Sequence, residues 1–398
     1  AFHVYFIFLN QKLSLNMLKR FKFLSKINKY LFSSLIITIL VIISCSHNKG
    51  NKVLFGKLEN GENIYKYLLT NGQCEVEIIT YGGIITSIKV PDKNNNMLDV
   101  ALGFDTLESY LEGHPYFGAI VGRYANRIDN GKFTINNADY NLAVNNNGTS
   151  LHGGLKGFDK VNWNVLSYDL ENKRFLKLNY LSEDMEEGYP GNLNVNVTYT
   201  LSDDNELSVE YNANTDKATV LNLTQHSYFN LSGESSGDIM DHILELNADY
   251  YLPVNKKIIP TGEKRAVAGT PFDFRNRKKI GKDLYDEDDQ LLLGNGYDHC
   301  WVLNDYNNSV RKISEVISEQ SMIKMEVFSD LPGVQLYIGN FLDGSLKSKK
   351  GMNYIKRSGF CLETQFFPNS PNTENFPSTV LEPGKEFYSK TSFKFSVK

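Results

Sequence analysis

The chain has 398 residues, 41% of them hydrophobic, and a formal net charge of -4. That hydrophobic content excludes wholesale disorder, and the slightly acidic balance lacks the strongly basic footprint of a nucleic-acid binder. The length suffices for one large domain or two ordinary ones. Aromatic residues reach 12%, with 23 Tyr and 24 Phe. Such enrichment suits β-strands and carbohydrate-facing surfaces alike. The four cysteines, Cys45, Cys74, Cys300 and Cys361, include no CxxC pair, and no histidine stands at zinc-finger spacing from them. A structural metal site therefore has little support.

Met17 opens a basic stretch containing Lys19, Arg20, Lys22, Lys26 and Lys29, and an apolar run follows over residues 30–43. The run is short for a membrane span, which needs about 20 residues, and its flanks are those of a secretory signal. It ends at Ile42-Ile43-Ser44-Cys45, which resembles a bacterial lipobox. The expectation is a signal peptide over 17–45, a lipid on Cys45, and a lipid-anchored protein facing the periplasm. The alternative is an uncleaved single-pass anchor. Residues 1–16 are expected to be a non-native upstream extension, and 46–52 a polar tether. Three cysteines then remain, an odd number that argues against a disulfide framework.

From Val53 the chain reads mainly as strands: 63–69, 74–81, 84–90 and 98–103. A short helix is predicted over 106–112, capped by Thr106. A hairpin is predicted with strands 132–136 and 139–142 and a turn at Asn137-Ala138. Strands over 161–168, 175–182, 193–201 and 207–213 continue the rhythm. Residues 279–286 suit one or two helical turns, and 310–319 suit either a helix or strands. Short strands with frequent turns, no composition break and no internal repeat predict an all-β class, one large β-sandwich over 53–398.

Several stretches carry polar residues that strand logic does not require. Residues 222–231, Asn-Leu-Thr-Gln-His-Ser-Tyr-Phe-Asn-Leu, read as a strand. One face carries Asn222, Thr224, His226, Tyr228 and Asn230, a surface suited to a ligand rich in hydroxyls. A solvated edge strand is the plainer reading. Gly122 to Ile128 places Arg123 and Arg127 on one side of an alternating run, where surface carboxylates are the plain partners. Leu151-His152-Gly153-Gly154 sets a histidine before two glycines, where backbone can approach a ligand closely. Asp298 and His299 lead into a strand. Gln335 and Tyr337 share a face of another, and Glu363 shares one with Cys361 and Gln365. A glutamate in that apolar strand is paired, near its end, or functional.

Together, GRYANRI, LHGG followed by GFDK and Trp163, TQHSYFNL, YDHCWVL, PGVQLYIGN and GFCLETQ resemble the aldose 1-epimerase (galactose mutarotase) family, in that order, from about Gly82 to the C-terminus. The resemblance implies a β-supersandwich with the sugar in an open cleft. It implies Glu363 as general base, His226 as general acid, and His152 assisting at the sugar. It implies Asn126, Arg127, Asp298 and Gln335 as binders of hydroxyls, with Tyr228 beside the acid. The reaction interconverts the α and β anomers of free aldohexoses such as galactose and glucose. One group takes the C1 hydroxyl proton while another gives a proton to the ring oxygen. It needs no cofactor and no metal, and the sequence shows no phosphate loop and no clustered metal ligands. A carboxylate near His226 is expected to keep it protonated. The expected partner is a small-molecule sugar, with membrane contact through the lipid alone, no nucleic acid and a monomeric state. Two departures, Phe366-Phe367-Pro368-Asn369 after the glutamate and Leu331 before Pro332, are expected to bear on the sugar pocket. An epimerase for a pentose or sugar phosphate and a non-catalytic sugar-binding lipoprotein are the alternatives.

Overall fold

Alternation builds the largest sheet. Leu193–Leu201 buries every second residue, and so joins neighbours on both edges while turning one face inward. In the computed structural model, which describes residues 52–398, nine antiparallel strands pair in this sheet. Their spatial order is Asn164–Tyr168, Phe175–Ser182, Leu193–Leu201, Glu206–Thr215, Phe387–Val397, Ile323–Ser329, Arg311–Ile317, Ile243–Leu246 and Lys278–Lys279. The C-terminal strand thus lies in the middle of the sheet. The expected upstream extension, the signal peptide, Cys45 and the tether up to residue 51 lie outside the described residues. Lys52 does not belong to a tether, because the first strand is Lys52–Lys57.

A five-stranded meander runs from Lys52–Lys57 to Met97–Asp99. A second five-stranded sheet has the order Arg265–Ala266, Tyr250–Leu252, Asp298–Val302, Gly333–Tyr337 and Cys361–Gln365. One apolar core takes side chains from all three, including Val76, Val195, Val327, Trp301, Leu336 and Leu362. Each aliphatic side chain buried there contributes roughly 1.5–3 kcal/mol relative to exposure. The all-β class expected from the sequence is what the chain adopts. Among the described residues no helix is long and apolar enough to cross a membrane, and Cys74, Cys300 and Cys361 are free and buried.

The short helix forms at Leu107–Leu111, with Thr106 as N-cap. The hairpin turn falls one residue earlier than predicted. Ile135 pairs with Ala138, and Asn136 and Asn137 both take positive φ, the pattern a two-residue hairpin turn requires. Residues 279–286 form no helix. A helix forms instead at Asp289–Gly294, where the Asp288 side chain accepts from the Gln290 and Leu291 N–H groups and Asn295 closes the end in the left-handed region. Residues 310–319 resolve as the strand Arg311–Ile317.

The segment 222–231 is not one strand. Only Thr224–Gln225 pairs regularly, with Ile120–Val121, and the rest of its backbone bonds to scattered partners. Asn222 N–H donates to Arg123 O, Leu102 N–H to Tyr228 O, and Phe229 N–H to Phe360 O. The side chains still alternate: Leu223, Phe229 and Leu231 enter the main core. Asn222 and Asn230 serve the fold rather than a ligand. Asn222 Nδ2 donates to Ala125 O and Phe366 O, and its Oδ1 accepts from Phe366 N–H. Asn230 Nδ2 donates to Gly237 O and Ser358 O. The Asn222 clamp ties the segment leading to Arg127 to the end of the strand carrying Glu363.

Candidate active site

Register in the second five-stranded sheet assembles the floor of a cleft. Gln335 stands opposite both Glu363 and Cys300, and Tyr337 opposite both Cys361 and Asp298. Because facing residues in antiparallel strands share a face, these side chains all project from one side, while Trp301, Leu336 and Leu362 fill the core behind. The cleft, of about 140 Å³, is lined by Tyr116, Asn126, Arg127, His152, His226 and Glu363 among others.

At its base, Glu363 Oε1 lies 3.5 Å from His226 Nε2. Both side chains are almost wholly buried. Glu363 Oε2 has no hydrogen-bond partner among the described residues. The His226 backbone is held from both sides: its N–H donates to Ala119 O and its O accepts from Gly118 N–H. Its ring stacks against Tyr116 and Tyr228, at interplanar angles of 29° and 24°. Tyr228 thus orients the histidine and also lines the cleft.

His152 stands 5.2 Å from His226, ring centroid to centroid. Its Nδ1 accepts from Asn126 N–H at 3.1 Å, and its own N–H donates to Asn126 O. A neutral ring with Nδ1 accepting must carry its proton on Nε2. His152 is therefore a fixed donor toward the cleft. Gly153, the first of the two glycines after it, answers to the fold. A Cβ at Gly153 would sit 1.9 Å from Gly122 O, so the close approach that demands glycine is to the chain's own backbone.

Arg127 and Asp298 face each other across the cleft at 3.9 Å. Gln335, expected to bind hydroxyls, lies behind Asp298 and donates Nε2–H to its Oδ1 at 2.7 Å. It reaches the cleft only through that carboxylate. Arg123 leaves the site altogether, and its partners are not surface carboxylates. Its buried guanidinium bonds five backbone carbonyls, those of Ser182, Glu183, Tyr189, Pro190 and Gly191, and the Ser182 and Thr219 hydroxyls. His299 is buried, its Nδ1 accepting from Asp298 N–H and its ring against Phe272. The sequence did not point to the lining residues Tyr116, Asn146 and Phe341, and Tyr337 stood out only as sharing a face with Gln335. Tyr116 carries one retrospective signal, an aromatic in a cluster with His114, Pro115 and Phe117.

A sequence model of the family described as Aldose 1-epimerase matches residues 65–394. The chain belongs to this family. It is 48% identical over 349 residues to a galactose mutarotase of Bos taurus, covering 87% of this chain and 98% of that protein. An aldose 1-epimerase of Escherichia coli is 36% identical over 330 residues, covering 82% and 94%. Among solved structures, an aldose epimerase homologue from C. elegans superposes with a TM-score of 0.76 at 31% identity, covering 83% of this chain and 98% of that one. A galactose 1-epimerase from Lactobacillus acidophilus gives 0.76 at 28%, covering 87% and 98%. This family member is accordingly an enzyme of the isomerase class.

Neither departure from the family pattern lines the epimerase cleft. Phe367 packs with Leu252, Cys300 and Phe376, and Leu331 is buried away from the cleft. Asn369 holds Arg127 and Asp129 in place, since its N–H donates to Arg127 O and its Oδ1 accepts from Asp129 N–H.

Burial governs the charges of this epimerase. Desolvation, with help from Asp298, pushes the Glu363 carboxyl up to about 8, against the opposing pull of Arg127. Desolvation pushes His226 down to about 4. The expectation that a nearby carboxylate keeps His226 protonated is thus corrected: burial lowers the ring, and the same burial pushes Glu363 toward its neutral form. Between those values the pair carries one proton. The two groups titrate as a unit. In the roles the resemblance implies, a second proton, below about 4, removes the base, and loss of the shared proton, above about 8, removes the acid. We predict a bell-shaped pH profile of kcat/KM with limbs near those values. Steady-state polarimetry from roughly pH 3 to pH 10 checks it, and a single alkaline rise with no upper limb would contradict it.

The fold also gathers what the sequence did not show as a cluster: ligating atoms of His152, His226 and Glu363 lie within 4.8 Å of one another. A zinc site of three protein ligands requires an unshared pair on each imidazole. His152 has already committed its Nδ1 pair to Asn126 N–H, leaving a donor toward the cleft. This donor set suits hydrogen bonds to a polyol better than a cation.

Proposed function

We propose that this chain is an aldose 1-epimerase that interconverts the α and β anomers of free aldohexoses, galactose and glucose foremost. The observation that carries the reading is the Glu363–His226 pair at the base of the cleft, ringed by the His152 donor and the Arg127–Asp298 pair. Mutarotation needs a base at the C1 hydroxyl and an acid at the ring oxygen, two neighbouring atoms. The paired groups match that requirement and share the one proton it uses. Sugar hydroxyls entering the cleft hydrogen-bond the carboxylate and favour its charged form. The proton then resides on His226 Nε2. Glu363 takes the C1 proton, His226 gives its own to the ring oxygen, and the ring opens to the aldehyde. Rotation about C1–C2 and the reverse transfers close the other anomer. Arg127, Asp298, Asn126 and the His152 Nε2–H hold the remaining hydroxyls, and Gln335 keeps Asp298 in place.

Among the described residues Arg127 is the only lysine or arginine lining the cleft, and it faces Asp298. That charge balance favours a neutral sugar over a sugar phosphate. A non-catalytic binder would not need the acid–base pair. The test is polarimetry of freshly dissolved α-D-galactose and α-D-glucose with the domain Lys52–Lys398. Faster approach to the equilibrium rotation supports the reading. No acceleration with either sugar, or with pentoses, in a folded protein would replace it with the binding-protein alternative.

The lipobox-like Ile42-Ile43-Ser44-Cys45 after a basic and apolar leader supports a lipid on Cys45 and a periplasm-facing anchor. In a bacterial host, the full chain is expected to take up labelled palmitate and partition into detergent. Cys45→Ala should lose the label. Label retained in Cys45→Ala would remove Cys45 as the lipidation site. An unlabelled, membrane-bound wild type would indicate an uncleaved span.

A further inference from the structure

Stacking between Tyr116 and Tyr228 fixes the plane of the His226 ring. It leaves open a half-turn of the ring about its Cβ–Cγ bond, which keeps that plane and exchanges a nitrogen for a carbon at each edge. Only in-plane contacts decide the orientation. On one edge, Nε2 faces Glu363 Oε1. On the other, Nδ1 lies 3.5 Å from Cys361 Sγ. Cys361 is two residues before Glu363 on the strand Cys361–Gln365, so both side chains leave the same face. A single strand therefore supplies a contact to each ring nitrogen of the acid, at a spacing set by the pleat. Cys361 is wholly buried and in no disulfide. It does not line the cleft, so it has no contact with the sugar to explain its place.

Building on the proposed mutarotation, we propose that Cys361 is a positioning residue: its sulfur accepts the His226 Nδ1–H and so aims Nε2 at Glu363 and the sugar ring oxygen. The thiol remains neutral, since burial and Glu363 hold its titration well above the ordinary thiol value. It is a weak, polarizable acceptor, and it serves both protonation states of the ring. When His226 is charged, each N–H has a partner. Without the sulfur, Nδ1–H would lose its side-chain partner, a costly change for a buried donor, and the flipped ring would gain population. The flipped ring places a carbon where the acid is needed.

The test compares Cys361→Ala and Cys361→Ser in anomerisation of galactose. Cys361→Ala is expected to lower kcat about three- to tenfold, the effect of one modest hydrogen bond, with KM little changed. Cys361→Ser, whose hydroxyl can accept the same proton, should recover most of that loss. A lost packing contact alone would affect both variants and move melting temperature rather than the kcat-to-KM split. Nitrogen NMR of ring-labelled histidine in the wild type provides a readout independent of any variant's folding. The neutral His226 ring is expected to carry its proton on Nδ1. A proton on Nε2 instead, or wild-type kcat in Cys361→Ala, would overturn the proposal. Either result leaves mutarotation itself intact, whereas an inactive wild type would remove the reading beneath it.

Discussion

Glu363→Gln is expected to lower kcat for anomer interconversion by about 10²–10⁴-fold, the usual contribution of a positioned general base, while the sugar still binds. The amide keeps the shape of the carboxyl and fills the same buried space, but it cannot take the C1 proton. Arg127, Asp298, Asn126 and His152 are untouched, so calorimetric titration with galactose should show little change in affinity. Unchanged turnover would sink the assigned base. The same variant carries a signature in stability that a damaged fold would not show. An unfolded glutamate titrates near its usual value, about 4.3, whereas burial raises the folded group to about 8. Between these values the folded chain holds a proton that the unfolded chain has released. The Glu363 contribution is therefore most favourable below the unfolded value and is lost as pH rises toward 8. Glu363→Gln lacks that slope. Its melting temperature should match or exceed wild type, with the gap widening from about pH 5 to about pH 9. His226, depressed to about 4, gives the opposite slope between its folded and unfolded values.

Arg123→Met should cost about 3–5 kcal/mol of folding stability, the range seen when one side of a buried charged hydrogen-bond network is removed. Domains of this kind are stable by about 5–15 kcal/mol in all. Methionine keeps the length of the side chain and removes every donor. Five carbonyl oxygens then lose a partner at once, in a place where the arginine is 2% exposed and water enters poorly. Those carbonyls belong to the Ser182–Glu183 and Tyr189–Gly191 turns joining two strands of the large sheet. The guanidinium, planar and many-handed, gathers them as a lysine could not, so Arg123→Lys should fall between. Burial lowers Arg123 to about 10, so it remains charged at neutral pH and the cage closes around a cation. The urea midpoint of the domain checks the prediction, and a midpoint equal to wild type would show that the cage adds nothing. Arg123 also precedes Asn126 and Arg127 by a few residues, so surviving Arg123→Met protein should bind sugar more weakly.

Local pattern carried much of the fold. The strands Phe175–Ser182 and Leu193–Leu201 have the bounds their alternation suggests, because one buried face writes itself into every second residue. The motifs from GRYANRI to GFCLETQ named Glu363, His226, His152 and Arg127, and the fold brings all four into one cleft. Alternation failed where backbone partners are not neighbouring strands. Over 222–231 the pattern reads as a strand, yet its amides bond to Arg123, Ala119, Phe360 and Val100 in turn, and two of its asparagines are clamps. Only the tertiary structure set Gln335 behind Asp298, sent Arg123 into a cage of carbonyls, and put Tyr116 against His226. It alone decided which nitrogen of His152 is free and set Glu363 beside His226, out of water. A residue's type and neighbours in sequence state what it can donate or accept. Its charge depends on how much water the whole fold removes from around it, and its partner depends on segments far apart in the chain. Those quantities exist only once the chain has closed.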